Sequence, residues 1–170
     1  MTPSPAWQHC RTDSPLGPML LARSPRGLCG AWFVDDQKHA PPPEYFAPEG
    51  HSPADPLLHA AARQLAEYFE GHRQVFDLPL DLGAGTAFQQ TVWTALLDIA
   101  HGQTSSYLAL AQRLGKPSAT RAVGAAVGRN PLSIVVPCHR VLGSTGQLTG
   151  YAGGLWRKQA LLQREGHSLF

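Results

Sequence analysis

A cysteine followed directly by a histidine and an arginine is the part of this sequence best suited to covalent chemistry. Cys138, His139 and Arg140 close the segment Ser-Ile-Val-Val-Pro-Cys-His-Arg at positions 133–140. A thiol attacks carbon as the thiolate, so a neighbouring base and two potential cations favour an activated sulfur. Because a lone cysteine is more often a small buried hydrophobic residue, the motif alone leaves both interpretations open.

The residues before the cysteine predict a rigid support for its thiol. Ile134, Val135 and Val136 form a short β-branched run typical of a buried strand. Pro137 ends that strand because proline has no N–H to donate to the ladder. We therefore expect Cys138 at the end of a strand, at the edge of the core.

Composition and charge indicate an ordinary globular chain with a polyanionic partner. Hydrophobic residues make up 43% of the 170 residues, no apolar run is long enough for a membrane span, and the first ten residues lack a secretory signal. Residues 1–85 hold six basic and ten acidic residues (net −4), whereas residues 86–170 hold eight and two (net +6). The basic half contains the Cys138 motif, which favours nucleic acid as its partner.

The three cysteines, Cys10, Cys29 and Cys138, have no regular spacing, which is typical of a reducing cytoplasm rather than of a disulfide framework. We expect Cys10 and Cys29 on neighbouring strands as buried packing residues. We predict no metal site there, because four converging zinc ligands are missing. The histidines outside the motif are expected at the surface; those considered are His9, His39, His51, His59, His72 and His101.

Turn residues divide the first half into three strands and a helix. Strands are predicted at 7–12, 19–22 and 28–34, with turns at 13–17 and 24–27. Apolar residues at helical spacing predict a helix at 56–69, with Asp55 as its N-cap. An irregular loop is expected at 40–53. The linker at 77–85 marks a domain boundary near residue 82.

The second half reads as a helix-turn-helix unit. Four helices are predicted, at 86–99, 107–114, 118–127 and 156–164. Thr86 would cap the first of them, and Ser105 or Ser106 would begin the second. The third of these would be the recognition helix, and it offers Arg121 among small residues. Small residues allow close approach to a narrow groove, so this composition favours minor-groove binding with an inserted arginine; an ordinary packed helix is the alternative.

Five sequence blocks occur in one order in this half: FQQTVWTALLDIAHGQTSSY, RAVGAAVGRNP, IVVPCHRVLG, GYAGGLWRKQALL and REG. Together they closely resemble the methylated-DNA–protein-cysteine methyltransferases, or O6-alkylguanine-DNA alkyltransferases, over residues 86 to about 167. A weaker similarity, DSPLG at 13–17 and GL at 27–28, extends into the first half. The chain departs from the family at Ala100, where proline is common, and we expect only a local effect.

The resemblance implies an α/β (α+β) fold in two domains. Residues 1–82 would form a ribonuclease H-like scaffold, a three-stranded antiparallel sheet with a helix. Residues 83–170 would form a winged helix-turn-helix domain for DNA binding and alkyl transfer. The expected reaction is irreversible, stoichiometric transfer of the alkyl group from O6-alkylguanine, or O4-alkylthymine, in a flipped-out nucleotide to Cys138. No cofactor is expected. The expected partner is double-stranded DNA that contains O6-alkylguanine, bound through the minor groove. The protein is expected to be a cytoplasmic monomer that does not associate with a membrane.

The resemblance also implies a role for each residue at a matching position, and these roles are expectations. Cys138 accepts the alkyl group, and His139 acts as base through a water because adjacent side chains rarely face each other. Glu165 orients His139, and Asn130 braces the active-site turn. Tyr107 protonates the leaving base and presses on a phosphate, while Arg121 fills the space of the extruded nucleotide. Further DNA contacts are expected from Ser144, Lys116 and Gln89, and pocket walls from Tyr151, Ala152, Gly153, Leu148 and Val141.

Three other functions are compatible with parts of the same sequence. A lesion sensor that binds without transfer lacks the acceptor cysteine, which is present here. A helix-turn-helix regulator would use the Cys138 motif structurally and would bind a specific operator. A cysteine hydrolase would turn over ester or amide substrates, but no oxyanion-hole signature supports it.

Overall fold

The computed structural model describes residues 7–42, 46 and 48–168. The chain divides into two compact units, residues 1–84 and 85–170, each with its own core. Residues 1–6, 43–45, 47 and 169–170 lie outside the described residues, and with them part of the predicted loop at 40–53. No helix in the described ranges has the length and apolar content needed to cross a bilayer.

The first unit is built on a three-stranded antiparallel sheet, as predicted. Its strands are β1 (Gln8–Thr12), β2 (Met19–Ser24) and β3 (Gly27–Phe33), in the order β1-β2-β3. The register places Leu21 of β2 opposite both Cys10 of β1 and Ala31 of β3. β3 is buried along its whole length, as expected of a strand covered by other elements.

The helix that packs on this sheet, α1 (Pro56–Phe69), has the predicted bounds. The Asp55 side chain accepts hydrogen bonds from the N–H groups of Leu57 and Leu58 at 3.1 and 3.0 Å, which satisfies two of the unpaired donors of the first turn. Its buried stripe recurs at helical spacing and consists of Leu58, Ala61, Gln64, Leu65 and Tyr68.

The two cysteines of this unit do not lie on neighbouring strands; that prediction was wrong. Cys10 is on β1 and Cys29 on β3, with β2 between them. Burial raises the pKa of both thiols, that of Cys29 to about 12. Of the six histidines predicted at the surface, His9 and His101 are half-buried; His39, His51, His59 and His72 are exposed. The His9 ring packs edge-on against Phe46, which explains its burial.

The second unit is mainly helical. Its helices are α2 (Ala87–Leu96), α3 (Tyr107–Arg113), α4 (Thr120–Gly128) and α5 (Leu155–Arg164). Two-residue strands, β4 (Ser105–Ser106) and β5 (Val141–Leu142), pair in parallel. α2 ends before the predicted Ile99 because residues 97–99 continue as a turn, and α4 starts after a 3-10 helix at Pro117–Ala119 rather than at residue 118.

Local capping explains where these helices begin. The Thr86 hydroxyl accepts from the N–H of Gln89, and the Gln89 side chain accepts from the N–H of Thr86, which is a complete capping box for α2. The Ser106 hydroxyl accepts from Ala109 N–H and caps α3. α2 and α4 meet where the buried Trp93 indole donates to the Ala126 carbonyl at 2.8 Å. The helix-turn-helix pair α3 and α4 is thereby fixed to the core.

Candidate active site

The segment before the cysteine is a compact turn rather than the predicted strand. Residues 133–135 form hydrogen-bonded turns: Val136 N–H donates to Leu132 O, and Cys138 N–H donates to Val136 O. Ile134 has a φ of 73°, the left-handed region that a β-branched side chain rarely adopts. The β-branched run is buried by packing of the turn instead of by a sheet. Strain of this kind is typical of functional sites.

Asn130 holds this turn together from the inside. Its side-chain amide donates to Val136 O at 2.8 Å and to Cys138 Sγ at 3.1 Å, and its carbonyl oxygen accepts from Leu132 N–H at 3.0 Å. The Asn130 side chain is buried, so these hydrogen bonds are shielded from water. One side chain thus braces the turn and fixes the sulfur.

The sulfur of Cys138 is held at the start of a 3-10 helix, Cys138–Arg140, and the residue is 6% exposed. Burial raises the pKa of the thiol, while the hydrogen bond from Asn130, the Lys158 charge and the backbone N–H groups of Cys138 and His139 oppose that rise. Because the net shift is upward, the resting group is a thiol at neutral pH. Removal of its proton therefore requires a base.

His139 and Arg140 converge on one buried carboxylate, Glu165. His139 Nε2 lies 2.8 Å from Glu165 Oε2, and Arg140 donates to the two carboxylate oxygens at 2.7 and 3.0 Å. Arg140 also donates to Ile99 O at 2.6 Å. Burial alone would raise the pKa of Glu165, but the hydrogen bonds from His139 and Arg140 and the charge of Arg140 hold it well below its ordinary value. Glu165 is therefore ionised.

The ionised carboxylate sets the tautomer of the imidazole. An acceptor at Oε2 requires the proton on Nε2, which leaves Nδ1 of a neutral His139 with a free lone pair. Burial lowers the pKa of His139, against the opposing effect of Glu165, so the ring is neutral at pH 7. Nδ1 is itself buried and has no hydrogen-bond partner among the described residues. Nδ1 therefore has the free lone pair that a base requires.

Tyr107 is joined by a hydrogen bond to the glycine-rich loop that contains Tyr151. Tyr107, the first residue of α3, donates from its hydroxyl to Thr149 O at 3.1 Å. The pKa of Tyr151 is raised well above its ordinary value, first by burial and then by electrostatic interaction with Cys138. Of the other predicted pocket residues, Gly153 and Val141 are buried, and Ala152 and Leu148 are half-buried.

Two cations of α5 belong to this region and were missed by the sequence analysis. The Arg157 guanidinium donates to Gly153 O at 3.0 Å, and the Lys158 ammonium donates to Thr149 O at 2.7 Å. Their positions follow the buried stripe of the helix, which consists of Arg157, Lys158, Leu161 and Leu162. The sequence carried a signal for this: Arg157 and Lys158 come four residues before Leu161 and Leu162, so all four side chains lie on one face of the helix.

The predicted DNA contacts lie on different elements of the same unit. Arg121 is exposed on α4, whose accessible face otherwise presents Ala122 and Ala125. Lys116 is exposed just before it, with its ammonium 5.4 Å from the Phe88 ring centroid, and Ser144 is exposed in the turn after β5. The Gln89 side-chain oxygen is used in the capping box of α2, a structural role that the sequence analysis did not identify.

Comparison with known proteins agrees with the arrangement in both units. Residues 11–82 match the family described as 6-O-methylguanine DNA methyltransferase, ribonuclease-like domain, and residues 87–167 match its DNA binding domain. The methylated-DNA–protein-cysteine methyltransferase of Mycobacterium leprae is 48% identical over 95% of this chain and 94% of that protein. A relative of the same name from Methanosarcina acetivorans is 44% identical over 91% of this chain and 95% of its own.

Solved structures give the same result. The O6-methylguanine methyltransferase of Mycobacterium tuberculosis superposes with a TM-score of 0.81 at 45% identity, covering 94% of this chain and 92% of that one. The structure of Mycobacterium tuberculosis OGT in complex with DNA superposes with a TM-score of 0.80 at 44% identity, covering 93% and 92%.

Proposed function

Because the chain belongs to the 6-O-methylguanine DNA methyltransferase family, its activity is direct-reversal DNA repair by alkyl transfer to a cysteine, and we propose that Cys138 is that cysteine. The observation that carries the assignment is the hydrogen bond from Asn130 to Cys138 Sγ, with the next residue in the chain, His139, bound to the ionised Glu165. Cys10 and Cys29 both lie in the sheet of the first unit, outside residues 87–167, which match the DNA binding domain of the family.

The reaction begins with removal of the thiol proton. His139 Nδ1, the imidazole nitrogen that is left with a free lone pair, takes it through one bridging water. Glu165 stabilises the imidazolium that forms, as the carboxylate does in a serine triad, and Arg140 holds that carboxylate in place. The thiolate then attacks the alkyl carbon in line, an S–C bond forms, and the C–O6 bond breaks.

The leaving guanine must gain a proton to balance the one that Cys138 lost. The Tyr107 hydroxyl, which donates to Thr149 O at 3.1 Å, gives its proton to the ring nitrogen N3. Tyr107 then takes up a proton from solvent and His139 releases one to solvent, so that both side chains return to their neutral forms. The product thioether has no ionisable proton and no leaving group comparable to a guanine oxygen. Each molecule therefore acts once, as a stoichiometric reagent.

Double-stranded DNA with O6-alkylguanine or O4-alkylthymine is the proposed substrate, bound through the minor groove. The alkyl carbon lies within the base stack, where a buried sulfur cannot align with it, so the nucleotide must be extruded. The accessible face of α4 suits this: its small residues allow close approach, and Arg121 is free to enter the stack. Loop 148–154, which contains Tyr151, would form one side of the pocket that holds the flipped base.

We also propose a separate role for each of the two domains. Residues 1–82 serve as scaffold, and residues 83–170 bind DNA and accept the alkyl group. We place the protein as a monomer in the cytoplasm, where a reducing environment keeps Cys138 as a free thiol. A lesion sensor would bind without transfer; a thiol with a base oriented beside it favours transfer instead.

The test is the chemical fate of the DNA. A duplex with a single O6-methylguanine is incubated with increasing protein, digested to nucleosides and quantified. We expect guanine to replace O6-methylguanine up to one lesion per protein molecule, and no conversion by Cys138→Ala although it still binds the duplex. Conversion that continues beyond one equivalent would indicate turnover, and tight binding without any conversion by the unmodified protein would indicate a lesion sensor.

A further inference from the structure

Trp156 is the largest of the exposed apolar side chains in the described part of the chain. It is the second residue of α5, directly after the pocket loop (residues 148–154), and it is 55% exposed. Because tryptophan is highly buried on average, so large an exposed ring is not explained by packing of the helix. Two neighbours account for its position, the last residue of the pocket loop and Arg157.

The five-membered ring of the Trp156 indole lies against Gly154, where the pocket loop ends. A β-carbon built on Gly154 would lie 3.2 Å from Trp156 Cδ1 and 3.3 Å from Trp156 Nε1, closer than ordinary van der Waals contact. Gly154 also has a φ of 93°, in the left-handed region that favours glycine. The backbone therefore leaves room for the indole, and a side chain at this position would require the ring to shift.

Arg157 contacts the same indole and the same loop. Its Cζ lies 4.5 Å from the centroid of the Trp156 ring, which is within the range of a cation–π contact, although the residue is only 3% exposed. Its Nη1 donates to Gly153 O at 3.0 Å, and its backbone N–H donates to Gly154 O at 3.1 Å. Since the ring is exposed and the guanidinium is buried, the indole is part of the cover that separates the guanidinium from water.

We propose that Trp156 is a positioning residue for alkyl transfer: its indole covers the Arg157 guanidinium, keeps it on the Gly153 carbonyl, and so holds the pocket loop in the conformation that receives the flipped base. This role rests on the proposed function of the loop as one side of the base pocket. A charge-assisted hydrogen bond is strong where water is excluded. Without the indole, water reaches the guanidinium and competes with Gly153 O, and the loop opens more often.

The step that this contact affects comes after binding of the duplex. The proposed DNA contacts Arg121 and Lys116 lie on α4 and just before it, whereas Trp156 lies on α5. Loss of the indole should therefore leave the affinity for a duplex without a lesion unchanged. It should lower the fraction of bound complexes in which the pocket holds the base, and with it the maximal rate of methyl transfer.

The experiment compares two substitutions of Trp156 in the full chain. Trp156→Leu keeps an apolar side chain without a π face, whereas Trp156→Phe keeps a flat ring over the guanidinium. Methyl transfer from a duplex with one O6-methylguanine is followed in single turnovers with saturating protein, and binding of the duplex without the lesion is measured by fluorescence anisotropy. Trp156→Leu should transfer about two- to fivefold more slowly, the effect of losing an exposed cation–π contact, with unchanged binding. Trp156→Phe should recover most of the rate.

Leu155→Ala is the matched control, because Leu155 precedes Trp156 and is 48% exposed but has no aromatic face to stack on a guanidinium. Its rate should equal that of the unmodified protein. An unchanged rate in Trp156→Leu, or equal slowing in Trp156→Phe or Leu155→Ala, would overturn the proposal. Weaker binding of the duplex without the lesion by Trp156→Leu would also contradict it, since the indole would then be a DNA contact.

Arg157→Met tests whether Trp156 acts through Arg157. In a protein that already carries Arg157→Met, Trp156→Leu should cause no further slowing, because the hydrogen bond that the indole covers is already lost. A further loss of the same size as in the unmodified background would mean that the indole acts independently of Arg157, and the proposal would be wrong.

Hydrogen exchange in the protein without DNA tests the loop directly. Gly154 N–H donates to Tyr151 O at 2.9 Å, within the pocket loop. The peptide that contains the loop should exchange faster in Trp156→Leu than in the unmodified protein or in Trp156→Phe, as measured by mass spectrometry. Equal exchange in all three would refute the holding of the loop by Trp156. Absence of methyl transfer by the unmodified protein would instead refute the proposed function, so the two failures are distinguishable.

Discussion

Replacing Glu165 by glutamine tests the buried ion pair behind His139. The substitution keeps the size of the side chain but removes its charge. Arg140 then loses a partner that it contacts at 2.7 and 3.0 Å, and His139 loses a charged acceptor at 2.8 Å. The Arg140 side chain is 7% exposed and that of Glu165 is 0% exposed, so water cannot replace the lost interactions.

Breaking a buried pair by removing one partner typically costs about 3 to 5 kcal/mol, since the other charge stays buried. We expect a loss of that size in the free energy of unfolding of Glu165→Gln at pH 7, measured by urea denaturation. The pKa of Glu165 is lowered in the folded protein, so its stabilisation is present above the unfolded value of about 4.3 and is lost as the pH falls toward the folded value. The difference between the two proteins should therefore shrink on acidification below about pH 4.

Glu67→Gln is the matched control, because Glu67 also contacts two arginines, Arg63 at 2.7 Å and Arg73 at 2.9 Å, but its side chain is 27% exposed. Its loss should have a far smaller effect, since exposed pairs are screened by water. Equal losses in the two variants, or a difference for Glu165→Gln that does not change with pH, would refute the buried-pair interpretation.

Three further predictions concern the turn, the DNA contact and the base. Asn130→Ala should lower the free energy of unfolding by about 2 to 4 kcal/mol in urea denaturation, because buried groups of the turn lose their hydrogen-bond partner. A loss below about 1 kcal/mol would contradict the role of Asn130 in stabilising the turn. Arg121→Ala should weaken binding of a methylated duplex about tenfold in fluorescence anisotropy at fixed salt, roughly 1.4 kcal/mol; unchanged affinity would exclude insertion. The pKa of His139 is lowered from 6.5, so the single-turnover rate should fall only at pH values below 6.5; a midpoint above 6.5 would argue against His139 as base.

Elements with strong local signals were predictable from the sequence. The bounds of α1 follow from an N-cap, a proline at the first position and an apolar stripe, all of them local. The three strands follow from turn residues between apolar runs. The His139–Glu165 contact was predicted only through family resemblance, because the two residues are 26 positions apart and no local rule joins them.

The run 134–136 shows why a local rule can fail. Its β-branched residues favour a strand, but β-propensity mainly reports packing on a half-buried surface. Here the surrounding core and the Asn130 side chain bury the same residues in a turn, with Ile134 in a left-handed conformation. The Asn130 hydrogen bonds that make the turn stable join residues two to eight positions apart, and side-chain identity alone does not reveal them.

The buried cations of α5 were missed for a related reason. Arginine and lysine are usually exposed, so the face they share with Leu161 and Leu162 was not taken as functional. Their partners are backbone carbonyls of the loop before the helix, which have no signature in the sequence.

The most direct test of the account is the location of the transferred group. The protein is reacted with an excess of duplex that contains one O6-methylguanine, digested, and mapped by tandem mass spectrometry. The account predicts one methyl group on the peptide containing Cys138 and none on those containing Cys10 or Cys29. A methyl group on another residue, or none on the protein while the DNA is repaired, would contradict it.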